Sequence, residues 1–147
     1  LAKSTLAVLF AEFAAEIAAN PTEPEELHQL RITGKRVRYA MEVFAGCFAP
    51  PFRDVLYPAV ERVQEILGHV QDGYVATDRL ARIKDRVHAV RPHAEKRIDP
   101  GLDGLNGEFK ARLQVERKAF RQWVRQWTKL TDEHPLNELM AVNSTDG

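Results

Sequence analysis

Apolar side chains recur every three or four residues along most of the chain, which is the spacing of an α-helix with one buried face. No stretch alternates apolar and polar residues as a half-buried strand does, and no Asn-Gly or Asp-Gly hairpin signal stands out. The periodicity predicts four helices, at about residues 3–19, 24–48, 52–90 and 105–130. Such helices form most simply an all-α, up-and-down four-helix bundle with long helices.

Proline and acidic residues mark the ends of the second predicted helix. Pro24 suits its first turn, where Glu25 and Glu26 face the positive end of the helix dipole. The segment APPF, residues 49–52, ends the helix because a proline ring cannot continue the hydrogen-bond ladder.

Glycine-rich positions are predicted to interrupt the later helices. Gly68 and Gly73 weaken the long third helix and predict a bend or break between them. Residues 91–104 carry proline and glycine and predict a loop. The bundle is expected to occupy residues 1–131, and the tail, 132–147, to form one short helical turn before it frays.

The composition limits the kind of protein. The 147 residues suffice for one domain with a core, and 21 Lys and Arg balance 21 Asp and Glu, so net charge indicates no partner. A single cysteine, Cys47, excludes an intrachain disulfide and fits a cytoplasmic setting. No apolar run predicts a membrane span, and Glu12 and Glu16 argue against a signal peptide. The chain begins at Leu1 rather than Met, so an upstream segment is left open.

The second helix divides into two arcs when its residues are placed about 100° apart. One arc is apolar and is expected to face the core: Leu27, Leu30, Val37, Met41, Phe44 and Phe48. The neighbouring arc carries a cationic row, which we call the basic stripe: His28, Arg31, Lys35 and Arg38. Tyr39 lies at the edge of the stripe, and Arg36 points away from it toward solvent.

The basic stripe needs negative charge from elsewhere. Like charges at helical neighbour spacing repel by roughly 0.2–0.5 kcal/mol per pair, and no acidic residue lies between His28 and Tyr39. Acidic side chains from another helix or an anionic ligand would offset this repulsion. Arg, Lys and His together bind phosphate oxygens through charge-assisted hydrogen bonds. A solvated face with a few salt bridges is the alternative and the commoner explanation of helical charge runs.

A second basic surface lies on the fourth predicted helix, where residues 105–130 contain seven basic and two acidic residues. Its apolar arc is expected in the core: Leu105, Phe109, Leu113, Phe120, Trp123, Val124 and Trp127. The opposite side carries only cations: Lys110, Arg117, Lys118, Arg121, Arg125 and Lys129. Arg112 and Glu116 fall inside the apolar arc, so they should neutralise each other or reach another helix. The outer face serves either solubility or anion binding.

Motifs for catalysis are absent from the sequence, which has no Gly-rich phosphate loop, metalloprotease helix motif or nucleophile elbow. The five histidines are scattered. His28 and His69 could approach each other in a bundle, but no further metal ligands can be named for them. We therefore expect neither an enzyme nor a bound cofactor or metal ion, and a metal role of His28 stays open.

Residues 27–48, LHQLRITGKRVRYAMEVFAGCF, resemble the signature helix of the CHAD family, the conserved histidine α-helical domain. The family pattern, His-x-x-Arg-x-x-x-Lys/Arg-Arg-x-Arg before an apolar helical run, is filled here by His28, Arg31, Lys35, Arg36 and Arg38. A second segment, VQEILGHVQDGYVATDRL, looks like the family's Leu-Gly-x-x-x-Asp element, with Leu67, Gly68 and Asp72. The Trp-containing final helix also fits, so the resemblance covers about residues 25–130.

The resemblance implies a particular architecture. Family members have two similar four-helix bundles that face each other across a positively charged channel, and 147 residues supply only one bundle. Tyr39 makes this chain most similar to the second, C-terminal bundle. The other half of the channel would then come from a further bundle of the same protein or from a homodimer.

The resemblance also implies a ligand. Family members bind inorganic polyphosphate, and some lie on polyphosphate granules. Carried over residue by residue, it implies polyphosphate contacts from His28, Arg31, Lys35, Arg36, Arg38 and Tyr39. It gives Asp72 a structural role, in which its carboxylate pairs with an arginine of the signature helix. The expected function is non-catalytic polyphosphate binding. A nucleic-acid binder that uses the fourth helix, or a structural bundle whose stripe is neutralised internally by an acidic row, are the alternatives.

Overall fold

Four long helices build the molecule, which a computed structural model describes over residues 1–143. They are α1 (Ala2–Ala18), α2 (Pro24–Phe44), α3 (Tyr57–Val90) and α4 (Glu95–Glu133), and a single helical turn, α5 (Leu136–Leu139), follows. Within residues 1–143 there is no strand, and one isolated backbone bridge joins Phe48 to Val142. The prediction of an all-α fold with four packed helices is confirmed.

The predicted apolar arcs form the core. Leu6, Phe10, Phe13 and Ile17 of α1 are buried, and so are Leu27, Leu30, Val37 and Met41 of α2. On α4 the side chains of Phe120, Trp123 and Trp127 are buried. Leu105 was predicted to lie in the core but is 40% exposed. The Trp127 ring packs on Phe10 and Phe13, with centroids 6.4 and 5.7 Å apart, and joins α4 to α1.

The connection between α1 and α2 is tight. Asn20 adopts a left-handed backbone conformation, with φ of 54°, which ends α1. As predicted, Pro24 begins α2 and acidic residues fill its first turn. Glu26 accepts hydrogen bonds from the backbone N–H groups of Thr22 and Glu23, and these bonds lower the pKa of its carboxyl.

The second helix ends earlier than predicted. It stops at Phe44 rather than near residue 48, and a single 3₁₀ turn follows at Ala45–Cys47. Backbone groups just after α2 form hydrogen bonds with the C-terminal segment instead of continuing the helix. Ala49 N–H donates to the carbonyl of Ala141, and Asn143 N–H donates to the carbonyl of Cys47. Leu139 and Met140, which lie within the predicted tail, are buried in the core. Residues 144–147, part of the predicted fraying tail, lie outside the described residues.

The third helix shows no break. After a π-helical turn at Phe52–Leu56, α3 is continuous through Gly68 and Gly73. Gly73 packs directly against α4, where Leu113 Cδ1 lies 3.2 Å from the position of an added Cβ. Gly73 was predicted to weaken α3, but it lies at a place where α3 packs closely on α4 and the helix is continuous there.

The predicted loop at residues 91–104 is mostly helix. Only Arg91 and the 3₁₀ turn Pro92–Ala94 separate α3 from α4, and Pro100 lies inside α4. A proline lacks the N–H that would bond to the carbonyl four residues earlier, so the helix tolerates one missing bond. Side chains of α3 hold this segment in place through contacts to Asp99 and Asp103.

The last two helices extend beyond the first two. α3 has 34 residues and α4 has 39, whereas α1 has 17 and α2 has 21. Because each residue adds about 1.5 Å to a helix, α3 and α4 are both longer than α1 and α2. The far ends of α3 and α4 pack on each other as a two-helix hairpin, residues 74–112, which we call the distal hairpin. The four-helix part of the bundle therefore ends near the α1–α2 connection.

Candidate functional site

The basic stripe lies on the side of α2 that meets α3. Its four side chains are neither fully buried nor fully exposed, because the stripe borders the apolar arc of α2. His28 and Arg38 are ten positions apart on the helix, a rise of about 15 Å. A row of this length faces several consecutive charges of an extended anion more readily than one small ion.

Amide groups of α3, not carboxylates, contact the first half of the stripe. His28 Nδ1 lies 3.1 Å from Oε1 of Gln71. Seven residues earlier on α3, Gln64 Nε2 donates to the backbone carbonyl of Arg31 at 3.3 Å. These contacts fix α2 against α3 without neutralising the stripe.

Arg31 and Lys35 form no ion pair within residues 1–143, since no carboxylate oxygen lies within 4.0 Å of either side chain. An internally neutralised stripe would require an acidic row on the facing helix. Among the described residues α3 does not supply such ion pairs to these two cations. Their charges therefore remain available to a ligand.

Aromatic rings and one carboxylate surround the last part of the stripe. The Tyr39 ring, 48% exposed, has Arg38 Cζ at 5.0 Å and Lys35 Nζ at 5.8 Å from its centroid, within the range of cation–π attraction. Glu42 Oε1 lies 3.6 Å from Arg38 Nη1 and accepts a hydrogen bond from the Tyr57 hydroxyl at 2.9 Å. Desolvation, together with this bond to a carboxylate, raises the pKa of Tyr57.

Arg38 is only partly neutralised by these contacts. Its side chain is 28% exposed, and its Nε is buried without a hydrogen-bond partner within residues 1–143. A buried donor without an acceptor costs free energy, so an oxygen ligand that reaches it would be favoured.

Two residues predicted with the stripe lie apart from it. Arg36 extends toward α1, where its Nη1 donates to both carboxylate oxygens of Glu12 at 3.1 and 3.2 Å. Asp72 is exposed on α3 and lines a cavity with His69 and Arg112. Within residues 1–143 its carboxylate forms no ion pair with an arginine of α2.

The basic face of α4 is separate from the stripe. Arg117 Nη2 donates to the backbone carbonyl of Thr22 at 3.0 Å, so this arginine contacts the α1–α2 connection. Glu116 reaches across to α3, where its Oε1 lies 3.4 Å from His69 Nδ1, one of the two outcomes predicted for it. Phe120, Trp123 and Trp127 of α4 are buried, so these three rings offer no exposed face on which bases could stack, and Phe109 is half-buried.

Sequence reasoning missed the residues that surround the stripe. Gln64 and Gln71 are seven positions apart on α3 and therefore share a helix face, a signal that could have identified them. Glu42 could have been found as the position four after Arg38. Tyr57 had no such signal, because its contact depends on how α2 and α3 pack.

The described part of the chain has neither a metal-binding cluster nor a membrane-spanning helix. Residues 1–143 contain no group of three or more His, Cys, Asp or Glu side chains that could hold a metal ion. Over the same residues, no helix combines the length and the apolar character needed to cross a membrane.

The fold and the stripe define the class of protein, an all-α helical bundle with a cationic row on its second helix. The family model of the CHAD domain matches residues 1–81, more than half of the chain, and the protein belongs to this family. The match includes α1, α2 with the complete stripe, and the part of α3 that packs on it. No curated protein and no solved structure gives a match.

Proposed function

We propose that the basic stripe binds inorganic polyphosphate, or a related phosphate polyanion, without cleaving it. The observation that carries this proposal is that Arg31 and Lys35 have no ion-pair partner within residues 1–143 although they lie half-buried beside α3. A polyanion with about one charge per phosphate would offset the repulsion along the whole row. Membership in the CHAD family supports the same ligand class.

Each stripe residue has a distinct part in the proposed complex. Arg31 and Arg38 offer planar forks of N–H donors that match two phosphate oxygens, and Lys35 adds a compact charge between them. His28 contributes Nε2, since its Nδ1 is engaged by Gln71. Tyr39 holds the Lys35 and Arg38 cations near its ring face and limits the positions that they adopt.

The proposed site is open on one side. Within residues 1–143 the stripe is a single row on one bundle, and a channel would need a facing row. We propose that a second bundle, in the same protein or in a second copy of this chain, supplies it. Binding by the single bundle is then expected to be weaker than binding by a two-bundle form.

Equilibrium binding of long-chain polyphosphate at several salt concentrations tests the proposal. Affinity should grow with polyphosphate length and fall linearly with salt on logarithmic axes, with a slope of about −3 for four contacts if the coefficient for single-stranded nucleic acid holds. A double variant, Arg31→Glu with Lys35→Glu, should lose at least about tenfold in affinity, because each charged hydrogen bond contributes about 1.5–3 kcal/mol. Unchanged helicity by circular dichroism shows that the fold persists.

A matched control separates the stripe from general charge. The double variant Lys96→Glu with Lys110→Glu changes net charge equally, but both residues lie exposed on the distal hairpin. Its affinity for polyphosphate should stay within about twofold of that of the unaltered protein. The salt series measures the general effect of net charge on affinity, which is subtracted before this comparison. If it loses as much affinity as the stripe variant, or if neither the single bundle nor a two-bundle form binds at low salt, the proposal fails.

Adjacent positions on α2 provide a finer comparison. Lys35→Gln and Arg36→Gln remove one charge each, yet Arg36 faces α1 and is already paired with Glu12. Lys35→Gln should weaken polyphosphate binding more than Arg36→Gln does. Single-stranded RNA as a competitor distinguishes a nucleic-acid binder, and an assay for released phosphate, expected to show none, tests for catalysis.

A further inference from the structure

A concave cavity of about 270 Å³ lies where the α1–α2 connection meets the middle of α4. Three arginines spaced four residues apart line it, Arg117, Arg121 and Arg125, and no carboxylate of residues 1–143 does. We propose that this cavity is a second anion-binding site, distinct from the basic stripe, for a compact oligophosphate. Its volume equals that of roughly nine water molecules in the liquid, which suits a short ligand rather than a polymer.

The three arginines form one cationic row. Successive members rise about 6 Å along α4, so each repels its neighbour as the stripe residues do. Within residues 1–143 neither Arg121 nor Arg125 forms an ion pair. An anion between them would remove this repulsion and gain charge-assisted hydrogen bonds from guanidinium groups.

One arginine of the row is already positioned. Arg117 is half-buried, and its Nη2 donates to the backbone carbonyl of Thr22 at 3.0 Å. A guanidinium has further N–H donors that this single bond leaves free. A ligand at the cavity would therefore meet one pre-oriented donor group and two exposed ones.

The floor of the cavity strengthens its electrostatic attraction. The buried apolar side chains of Leu27, Val70 and Phe120 line it. Charges beside a low-dielectric surface interact more strongly than charges in bulk water. The nearby carboxylate of Glu26 does not line the cavity and is engaged by the capping bonds that begin α2.

The cavity and the stripe use different residues. No member of the stripe lines the cavity, and the stripe contacts α3 through Gln64 and Gln71, whereas the cavity joins α4 to the α1–α2 connection. The inference therefore does not rest on the proposed function, and either can fail without the other.

Isothermal titration with inorganic triphosphate at low salt tests the inference. Three double variants carry the same change in net charge: Arg121→Glu with Arg125→Glu at the cavity, Arg31→Glu with Lys35→Glu at the stripe, and Lys96→Glu with Lys110→Glu on the distal hairpin. The cavity variant should lose at least tenfold in triphosphate affinity, a larger loss than either other variant shows. Equal losses in all three, or no triphosphate binding by the unaltered protein, would overturn the proposal.

A measurement on the unaltered protein gives an independent test. In ¹⁵N-correlated spectra, triphosphate should shift the backbone amides of Asn20 and Thr22 before those of His28 to Arg38. Shifts confined to the stripe would overturn the cavity proposal. Long-chain polyphosphate should show the reverse preference among the variants, so that failure at one site is not mistaken for failure at the other.

Discussion

His28 Nδ1 lies 3.1 Å from Oε1 of Gln71, and this contact joins the first residue of the basic stripe to α3. An amide oxygen only accepts, so Nδ1 carries the proton and donates it. Among residues 1–143, Nε2 has no hydrogen-bond partner and remains available to a ligand. The facing helix thus sets which ring nitrogen of His28 is presented.

Gln71→Leu should weaken polyphosphate binding by about two- to tenfold, equivalent to one hydrogen bond of about 0.5–1.5 kcal/mol. The substitution removes the acceptor, so the His28 ring loses its fixed orientation and leaves a donor unpaired. Binding isotherms at one low salt concentration measure the effect. Gln126→Leu, on an exposed position of α4, is the control and should leave affinity unchanged. Equal affinities for the two variants would show that Gln71 does not orient the stripe.

Local periodicity predicted most of the core and the row of stripe residues on α2, because both depend on spacings within one helix. Leu6, Phe10 and Phe13 follow helical spacing and are all buried. The separation of Arg36 from the stripe also follows from its angle on α2. Its partner Glu12 could not be predicted in the same way, since that contact depends on how α1 packs on α2.

Contacts between distant residues explain what the sequence did not predict. The helix at residues 95–104 contains a proline and two glycines, so local propensity favours a loop. Lys84 Nζ lies 2.8 Å from Asp103 Oδ1, a contact across nineteen positions that holds this segment on α3. The end of α2 also depends on a distant segment, because the backbone that follows the helix forms hydrogen bonds with residues 141–143. Neither Lys84 nor residues 141–143 could be identified as these partners from the local sequence, because both lie far along the chain from the segments that they contact.

Glu42→Gln should strengthen polyphosphate binding. The Glu42 carboxylate is the one carboxylate within 4.0 Å of a stripe side chain among residues 1–143, at 3.6 Å from Arg38. Its replacement removes a competitor for Arg38 and a negative charge that repels the ligand, so affinity should rise by about two- to fivefold at low salt. The pKa of Tyr57 should fall toward its ordinary value, which ultraviolet titration measures.

A control for this variant is Glu65→Gln, whose carboxylate pairs with Arg62 on α3. It removes the same charge away from the stripe and should change affinity less. Weaker binding by Glu42→Gln than by the unaltered protein would show instead that Glu42 positions Arg38 for the ligand.

Two helix-interior glycines should respond oppositely to larger side chains. An added Cβ at Gly34 would meet the Gln64 amide and lie 3.2 Å from Phe13, whereas one at Gly68 would have no atom of residues 1–143 within 4 Å apart from its own stretch of helix backbone. Gly34→Val should therefore destabilise the fold by about 1–3 kcal/mol through overpacking. Gly68→Ala should stabilise it by about 0.5–1 kcal/mol through helix propensity. Urea unfolding measures both, and a stabilised Gly34→Val would contradict the packing of α2 on α1 and α3.

His88 should make the stability of the protein depend on pH. Its Nε2 lies 2.7 Å from Asp99 Oδ1 across the distal hairpin. The hydrogen bond to Asp99 is the main cause that raises the pKa of His88 above its ordinary value of 6.5; the nearby Asp99 and Glu95 charges add to it, and desolvation and Lys84 oppose it. Because protonation is favoured in the folded state, the contribution is fully present below pH 6.5. It is lost as pH rises through the raised pKa of the folded state.

The comparison that isolates this effect is the unaltered protein against His88→Gln, unfolded in urea at a series of pH values from about 5.5 to 8.5. The difference in unfolding free energy should be largest at the acidic end and shrink as pH rises through the raised pKa of His88. Asp99→Asn should remove most of this pH dependence, because it removes the carboxylate that contributes most to favouring protonated His88. A difference that grows with pH would mean that neutral His88 is the form stabilised by the hairpin, and the ion pair with Asp99 would then not form in solution.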